Sequence, residues 1–186
     1  MKRLIDITII LLFLPIVIII CLIIALLIKI ESRGPILFWS DRIGKDNKIF
    51  SMPKFRTMQT NTPLIATNNL VNEKNYITKF GKFLRKSSLD ELPQLYSILN
   101  GKMSLVGPRP ALFNQYDLIE MRTNKGIHKL TPGITGWSQV NGRDLISIEK
   151  KTELDNFYKE NISILLDFKI LLITVFKLLD FKEIKH

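Results

Sequence analysis

The chain has 186 residues and a formal net charge of +10, with 27 lysine and arginine residues against 17 acidic ones. This length suits one domain with an appendage and leaves little room for two full domains. The positive charge favours an anionic partner, such as nucleic acid, an acidic membrane surface or a phosphorylated substrate. Because Cys21 is the only cysteine, an intramolecular disulfide is excluded.

The first predicted element is a membrane helix, because residues 7–28 carry no charge. At about 1.5 Å per residue such a helix could cross a hydrocarbon core of about 30 Å. Pro15 should kink it, and cations flank it at both ends, which favours the cytoplasmic side for each end. From the residues alone, a spanning helix and a re-entrant helix bent at Pro15 both remain open.

A β-hairpin is predicted next. Residues 36–39 and 48–52 flank the turn-like residues 44–47. Pro53 should end the second strand, because proline cannot donate to a strand ladder. Residues 61–75 are rich in Asn and Thr and are predicted to form a surface loop.

Two carboxylates are predicted at the start of the helix over residues 88–99, which Asn100 and Gly101 should close. Pro93 is tolerated only near a helix start, so the helix should begin near Leu89 or Asp90. Asp90 and Glu91 at such a start could simply cap the helix. Alternatively, the helix N-terminus keeps Asp90 ionised for nucleophilic attack or metal binding.

Three further elements follow. A short strand is predicted over residues 137–140, and a charged helix over residues 149–160. Residues 161–181 are dominated by Ile, Leu and Phe but interrupted by charges, so an amphipathic helix is predicted there. This helix could pack in the core or lie in a membrane interface.

The cations near the two carboxylates indicate a phosphate site, since Mg²⁺ commonly bridges carboxylates to substrate phosphates. Arg109 is aimed by its two flanking prolines, and Arg143 by a tight turn. The two histidines lack ligands at zinc spacing, so a zinc site is not expected. The cations predicted to bind phosphate are Lys54, Arg56, Arg85, Arg109 and Arg143.

Four long motifs in the same order give the chain a family resemblance that covers nearly its whole length. It resembles the bacterial sugar transferase family, the small monotopic polyprenyl-phosphate phosphoglycosyl transferases. The motifs occupy residues 54–58, 85–95, 103–110 and 132–143.

The resemblance implies an α+β fold, mostly helical with a small β-hairpin and interfacial amphipathic helices. Residues 1–30 would be a re-entrant membrane helix, although Leu14 replaces the small polar residue that usually precedes the proline. Residues 31–186 would be the cytoplasmic phosphoglycosyl transferase domain, including the amphipathic helix 161–181. The catalytic domain would lie on the cytoplasmic face of the bacterial inner membrane, in contact with its lipids.

The implied reaction uses Asp90 as a covalent nucleophile, with Glu91 assisting and both residues holding Mg²⁺. Asp90 would take a sugar-1-phosphate from a UDP-sugar, releasing UMP, and pass it to polyprenyl (undecaprenyl) phosphate. An N-acetylated amino sugar is the expected donor sugar. The residues expected to bind substrate are Lys54, Arg56, Arg85, Arg109, Asn141 and Arg143.

Three other functions are alternatives to this one. A glycosyltransferase acting on a lipid-linked glycan would release UDP, and a non-catalytic membrane scaffold would tolerate loss of Asp90. Nucleic acid is not an expected partner, because no recognised binding motif occurs. A homodimer is a possible assembly.

Overall fold

A computed structural model of the chain describes residues 1–60, 62, 76–142 and 145–179. The predicted loop 61–75, apart from Thr62, therefore lies outside the described residues, as does Arg143. Helices predominate over small sheets, which confirms the predicted α+β class. The helices are α1 (Lys2–Glu31), α2 (Lys79–Ser87), α3 (Leu95–Leu99), α4 (Tyr116–Asn124), α5 (Trp137–Val140), α6 (Ile148–Glu160) and α7 (Ile164–Leu179). The strands are β1 (Leu37–Ile43), β2 (Ile49–Phe55), β3 (Ser104–Val106) and β4 (Gly133–Thr135).

The predicted hairpin is present, with β1 and β2 antiparallel and joined by a turn at Lys45–Asn47. The prediction that Pro53 ends the second strand is wrong, since Pro53 pairs with Trp39 inside β2. Arg56 N donates to Ile36 O, and hydrogen-bonded pairs alternate along an antiparallel ladder. Pro53 thus falls at a position where no N–H is needed, which is why the strand tolerates it.

The helix predicted over residues 88–99 has two parts. It begins at Leu89, as expected, with a 3₁₀ segment Leu89–Gln94 that contains Pro93, and continues as α3. Ser88 precedes it in the left-handed conformation, with φ of 56°, and its side chain does not cap the helix. Gly101, with φ of 76°, follows the C-cap Asn100, as the sequence indicated.

A second, parallel sheet pairs β3 with β4 and was not predicted. The strand expected over residues 137–140 is wrong, because these residues form α5 and the strand precedes them. The two strands approach so closely that a Cβ on Gly133 would lie 2.1 Å from Gly107 N. Because β3 and β4 are parallel, the segments that follow them leave the sheet at the same end, where both strands have their C-termini.

Helix α1 packs one face against the domain along both of its halves. Ile10 lies in a core cluster with Phe50 and Met52, whereas Ile24 and Ile28 lie in a second cluster. The opposite face is apolar and exposed. Within the described residues, α1 is the one helix long and apolar enough to cross a membrane by length and composition. It continues through Pro15.

Polar contacts hold the N-terminal end of α1 to distant parts of the chain. Lys2 forms an ion pair with Asp167 of α7, and its Nζ lies 3.0 Å from the Tyr158 hydroxyl. Arg3 donates to Leu99 O at 2.8 Å, and Asp6 accepts a 2.7 Å hydrogen bond from Ser104.

The C-terminal end of α1 is also attached to the domain. The Glu31 carboxylate accepts a hydrogen bond from Phe80 N at 2.9 Å. Arg56, which is 7% exposed, donates to the main-chain oxygens of Ser32 and Arg33. Both ends of α1 therefore contact the domain.

Helix α7 is amphipathic, as predicted, and its described part ends at Leu179. Ile170 is fully buried with Val106, Val140 and Tyr158. The other face exposes large apolar side chains, namely Leu165 (84%), Phe168 (52%), Leu172 (56%) and Phe176 (70%).

Candidate active site

Asp90 and Glu91 lie in the first turn of the 3₁₀ segment, which packs directly against β2. This packing brings Lys54, near the end of β2, to the two carboxylates. Its Nζ lies 2.7 Å from Glu91 Oε1 and 4.0 Å from Asp90 Oδ2. Asp90 is only 9% exposed, so little water screens these charges.

Arg109 approaches the same pair of carboxylates from the loop after β3. Its Nη2 lies 2.6 Å from Glu91 Oε1, and its Nη1 lies 3.4 Å from Glu91 Oε2. Such a forked arrangement fixes the plane of the guanidinium. Pro108 and Pro110 stiffen the loop on both sides, as the sequence indicated.

The surroundings of Glu91 favour its ionised form. Burial raises the pKa of this carboxyl, but the charges of Arg109 and Lys54 and their hydrogen bonds outweigh burial. The net pKa of Glu91 lies well below its usual range. Glu91 therefore remains a carboxylate and cannot donate a proton near neutral pH.

Asp90 differs from Glu91, because its pKa is raised. Burial is the largest cause and the neighbouring charge of Glu91 adds to it, while Lys54, Arg109 and Arg85 lower the pKa. The sequence suggested that a helix N-terminus would keep Asp90 ionised. Burial outweighs that effect, so ionised Asp90 is a destabilised and more basic carboxylate.

Two further predicted cations differ in their placement. Arg85, in the last turn of α2, donates from Nε to Thr57 Oγ1 at 3.0 Å, and its charge acts on Asp90. Arg56 instead holds the segment after α1 through Ser32 and Arg33. Two of its guanidinium nitrogens are thereby used on main-chain oxygens, and the role of Arg56 in binding substrate stays a prediction.

Of the remaining predicted residues, only Asn141 lies within the described part of the chain, directly after α5. Asn141 donates to Trp137 O at 2.7 Å and so closes α5. Arg143 lies outside the described residues, so its predicted role stays a prediction.

The carboxylate pair is compatible with Mg²⁺. In the described part of the chain, no group of three or more His, Cys, Asp and Glu side chains could hold a metal ion by itself. Mg²⁺ commonly takes one or two carboxylates and completes its shell with water and substrate phosphates. Asp90 is the better placed ligand, since Lys54 and Arg109 already contact Glu91 Oε1.

A buried polar network behind Arg109 was missed by sequence reasoning. Arg122 of α4 pairs with Asp155 of α6, and Arg122 Nη1 donates to Arg109 O at 2.8 Å. Ser138 of α5 donates to Asp155 Oδ1 at 2.7 Å. Nothing in the sequence links these residues, because tertiary packing alone brings them together.

Comparison with known proteins identifies the class of this fold and site. The family model for bacterial sugar transferases matches residues 1–181. The uncharacterized sugar transferase EpsL of Bacillus subtilis is 42% identical over 181 residues, covering 96% of this chain and 87% of EpsL.

Two relatives carry names that state their substrates. The UDP-glucose:undecaprenyl-phosphate glucose-1-phosphate transferase of Escherichia coli is 43% identical over 83% of this chain. The UDP-N-acetylgalactosamine-undecaprenyl-phosphate N-acetylgalactosaminephosphotransferase of Aeromonas hydrophila is 38% identical over 81% of this chain. The matches cover 35% and 37% of those two proteins, so this chain spans about a third of their length.

The chain belongs to the bacterial sugar transferase family. The expected family is therefore confirmed, and with it the expectation of a phosphoglycosyl transferase enzyme.

Proposed function

We propose that the protein transfers a sugar-1-phosphate from a UDP-sugar to polyprenyl phosphate through a covalent intermediate on Asp90. The observation that carries this proposal is the placement of Asp90. It is a buried carboxylate with a raised pKa, next to Lys54 and to an ionised Glu91. A carboxylate of this kind is a suitable nucleophile, because a carboxylate removed from water is more basic than a hydrated one.

In the first step, an Asp90 oxygen attacks the phosphorus that is bonded to the sugar. The bond from that phosphorus to the bridging oxygen breaks, UMP leaves with the bridging oxygen, and an aspartyl phosphosugar remains. In the second step, a phosphate oxygen of the polyprenyl phosphate attacks the same phosphorus. This step regenerates Asp90 and gives a polyprenyl diphosphosugar.

The cations of the site supply electrostatic stabilisation where negative charge develops. Lys54 lies between the two carboxylates, and Arg109 is held in a fixed plane by Glu91. Arg85 approaches from α2. When bound, Mg²⁺ would be held by Asp90 and substrate phosphates and would offset phosphate charge. Glu91 acts by orienting Arg109 and Lys54.

The donor sugar is a separate part of the proposal. An N-acetylated amino sugar on UDP is the donor expected from the sequence. The names of the relatives include both glucose and N-acetylgalactosamine donors, so family membership alone is compatible with either kind. Undecaprenyl phosphate is the proposed acceptor, in keeping with both names.

We further propose that α1 is re-entrant and that the enzyme is monotopic on the cytoplasmic face of the inner membrane. Contacts of both ends of α1 with one domain support this topology. A straight spanning helix would separate its ends by the membrane core of about 30 Å. Lys2 could then not pair with Asp167 while Glu31 contacts α2, because Asp167 and α2 belong to the same domain on one side of the membrane.

The decisive measurement is UMP release by the purified protein in detergent, with Mg²⁺, undecaprenyl phosphate and a panel of UDP-sugars. We expect the wild type to release UMP from at least one donor and Asp90→Asn to release none. Asp117→Asn, which changes an exposed aspartate on α4, is the matched control and should keep its activity.

Other results of this assay would contradict the proposal. Release of UDP would indicate a glycosyltransferase. Equal activity of Asp90→Asn would exclude Asp90 as the nucleophile, and no nucleotide release from any donor would favour a non-catalytic scaffold.

A further inference from the structure

We infer that Arg122 and Asp155 are positioning residues that hold the Arg109 loop in its active geometry. This inference rests on the proposed role of Arg109 in binding phosphate. Neither residue contacts the carboxylate pair, and each acts through the main chain of the loop or through its neighbours.

The pair is buried and connects three helices to the loop. Arg122 is 7% exposed and Asp155 is 1% exposed. Arg122 Nε lies 3.0 Å from Asp155 Oδ2, and Nη1 donates to Arg109 O at 2.8 Å. The other carboxylate oxygen of Asp155 accepts from Ser138, which is 2% exposed.

The loop needs such a contact because of its own sequence. Pro108 and Pro110 have no N–H, so the main chain on both sides of Arg109 cannot donate hydrogen bonds. Pro108 O accepts from Gly133 N at 3.0 Å, which fixes the loop on its β4 side. Arg122 supplies the donor for the next carbonyl, that of Arg109.

Stability alone does not explain a buried ion pair at this place. Removing two charges from water costs free energy that their attraction often fails to recover, and well-packed apolar residues are frequently as stable. A guanidinium has several donors in a fixed plane, so it can bind Asp155 and a loop carbonyl at once. This geometry points to orientation of the loop as the role of the pair.

Asp155 also links this loop to the segment after β4. Ser138 belongs to α5, which follows β4, just as the Arg109 loop follows β3. The Asp155 carboxylate thereby holds both α5 and, through Arg122, the Arg109 loop, which follow β4 and β3 at the same end of the parallel sheet. Displacement of Asp155 should loosen both segments together.

The test is a double-mutant cycle of Arg122→Lys with Arg109→Lys, measured as kcat and KM for UMP release. Lysine at position 122 keeps a charge for Asp155 but cannot reach both partners in a guanidinium plane. In the otherwise wild-type enzyme we expect kcat/KM to fall by about 10- to 100-fold, the size seen for small misplacements. In the Arg109→Lys background, the same change should lower kcat/KM by less than about 3-fold, because coupled residues are not additive.

Thr152→Ala is the matched control. Thr152 is fully buried on α6, one turn from Asp155, and among the described residues its hydroxyl bonds only to Ile148 O of its own helix. Its effect on activity should be equal in both Arg109 backgrounds. If Arg122→Lys does not fold, Ser138→Ala replaces it, since this change leaves the ion pair in place.

Two outcomes would overturn the inference. Equal losses from Arg122→Lys (or from Ser138→Ala, if used) in both Arg109 backgrounds would mean that the network acts independently of Arg109. Unchanged kcat/KM in a folded single variant, Arg122→Lys or Ser138→Ala, would mean that the Arg109 loop keeps its geometry without the network. If Arg109→Lys itself leaves activity unchanged, the proposed role of Arg109 fails instead.

Discussion

Asp90 and Glu91 are adjacent in the chain, yet their environments shift their pKa values in opposite directions. Glu91 receives the fork of Arg109 and the ammonium of Lys54, so its charge is compensated. Asp90 lies farther from Lys54, at 4.0 Å, and burial leaves it a poorly solvated carboxylate. In the proposed mechanism, Glu91 orients the cations and Asp90 is the nucleophile.

The pKa of Asp90 should depend on the charge of Lys54, and this dependence can be tested. Since Lys54 lowers this pKa, Lys54→Gln should raise it further, so that Asp90 ionises only at higher pH. Carbon-13 NMR titration of the metal-free protein, labelled at aspartate carboxyls and assigned with Asp90→Asn, measures this. Lys150→Gln removes an exposed lysine and should leave the titration unchanged. A fall in the Asp90 pKa in Lys54→Gln would contradict the assigned electrostatics.

Glu91 should contribute to stability in a pH-dependent way. Its native pKa lies below the unfolded value of about 4.3, so its contribution is complete above that value and declines as pH falls towards the native pKa. Glu91→Gln should cost about 1–3 kcal/mol at neutral pH, because the partly buried cations Lys54 and Arg109 lose a charged partner. Thermal unfolding in detergent at neutral and acidic pH measures the difference.

The control for Glu91 is Glu153→Gln, which removes an exposed ion pair with Lys150. Exposed pairs contribute about 0–1 kcal/mol, so this variant should differ little from the wild type. A stability difference for Glu91→Gln that grows as the pH falls would refute the assignment of a lowered pKa.

At the residue scale, sequence reasoning identified side chains whose local segment fixes their direction. Arg109 was predicted because two prolines flank it, and it does reach Glu91. Arg56 was predicted only as one cation among several, and its guanidinium holds Ser32 and Arg33. Arg122 and Asp155 lie 33 positions apart and carry no local signal.

At the scale of elements, long periodic segments were predictable and short ones were not. The hairpin, α6 and the amphipathic α7 follow from patterns over many residues. Four residues, 137–140, contain too little pattern to separate a strand from one helical turn, so α5 was assigned wrongly. The parallel pairing of β3 with β4 joins three-residue strands, which a sequence pattern cannot identify.

The exposed face of α7 should lie in the membrane interface. Its large apolar side chains have no cover within the described residues, and they lie along one side of the helix. An environment-sensitive fluorophore on Leu172→Cys, in a Cys21→Ser background, should shift to shorter emission wavelengths when vesicles are added. The same fluorophore on Glu153→Cys of α6 should not shift. Equal emission at both positions would place α7 in water.

At the scale of the whole molecule, the topology of α1 can be tested with two cysteines. In a Cys21→Ser background, Leu4→Cys (69% exposed) and Arg33→Cys report on the two ends of α1. A re-entrant helix predicts that a membrane-impermeant maleimide labels both in inverted membrane vesicles and neither in spheroplasts. Labelling of one position in each preparation would establish a spanning helix and refute the proposed topology.

The contact between Lys2 and Asp167 has a consequence for the order of folding. These residues are 165 positions apart, so α1 is made long before its partner on α7 exists. At about 5–20 residues per second, synthesis of the intervening chain takes roughly 8 to 30 seconds. During this interval the exposed apolar helix needs lipid or a chaperone. Docking of α7 therefore completes the attachment of α1.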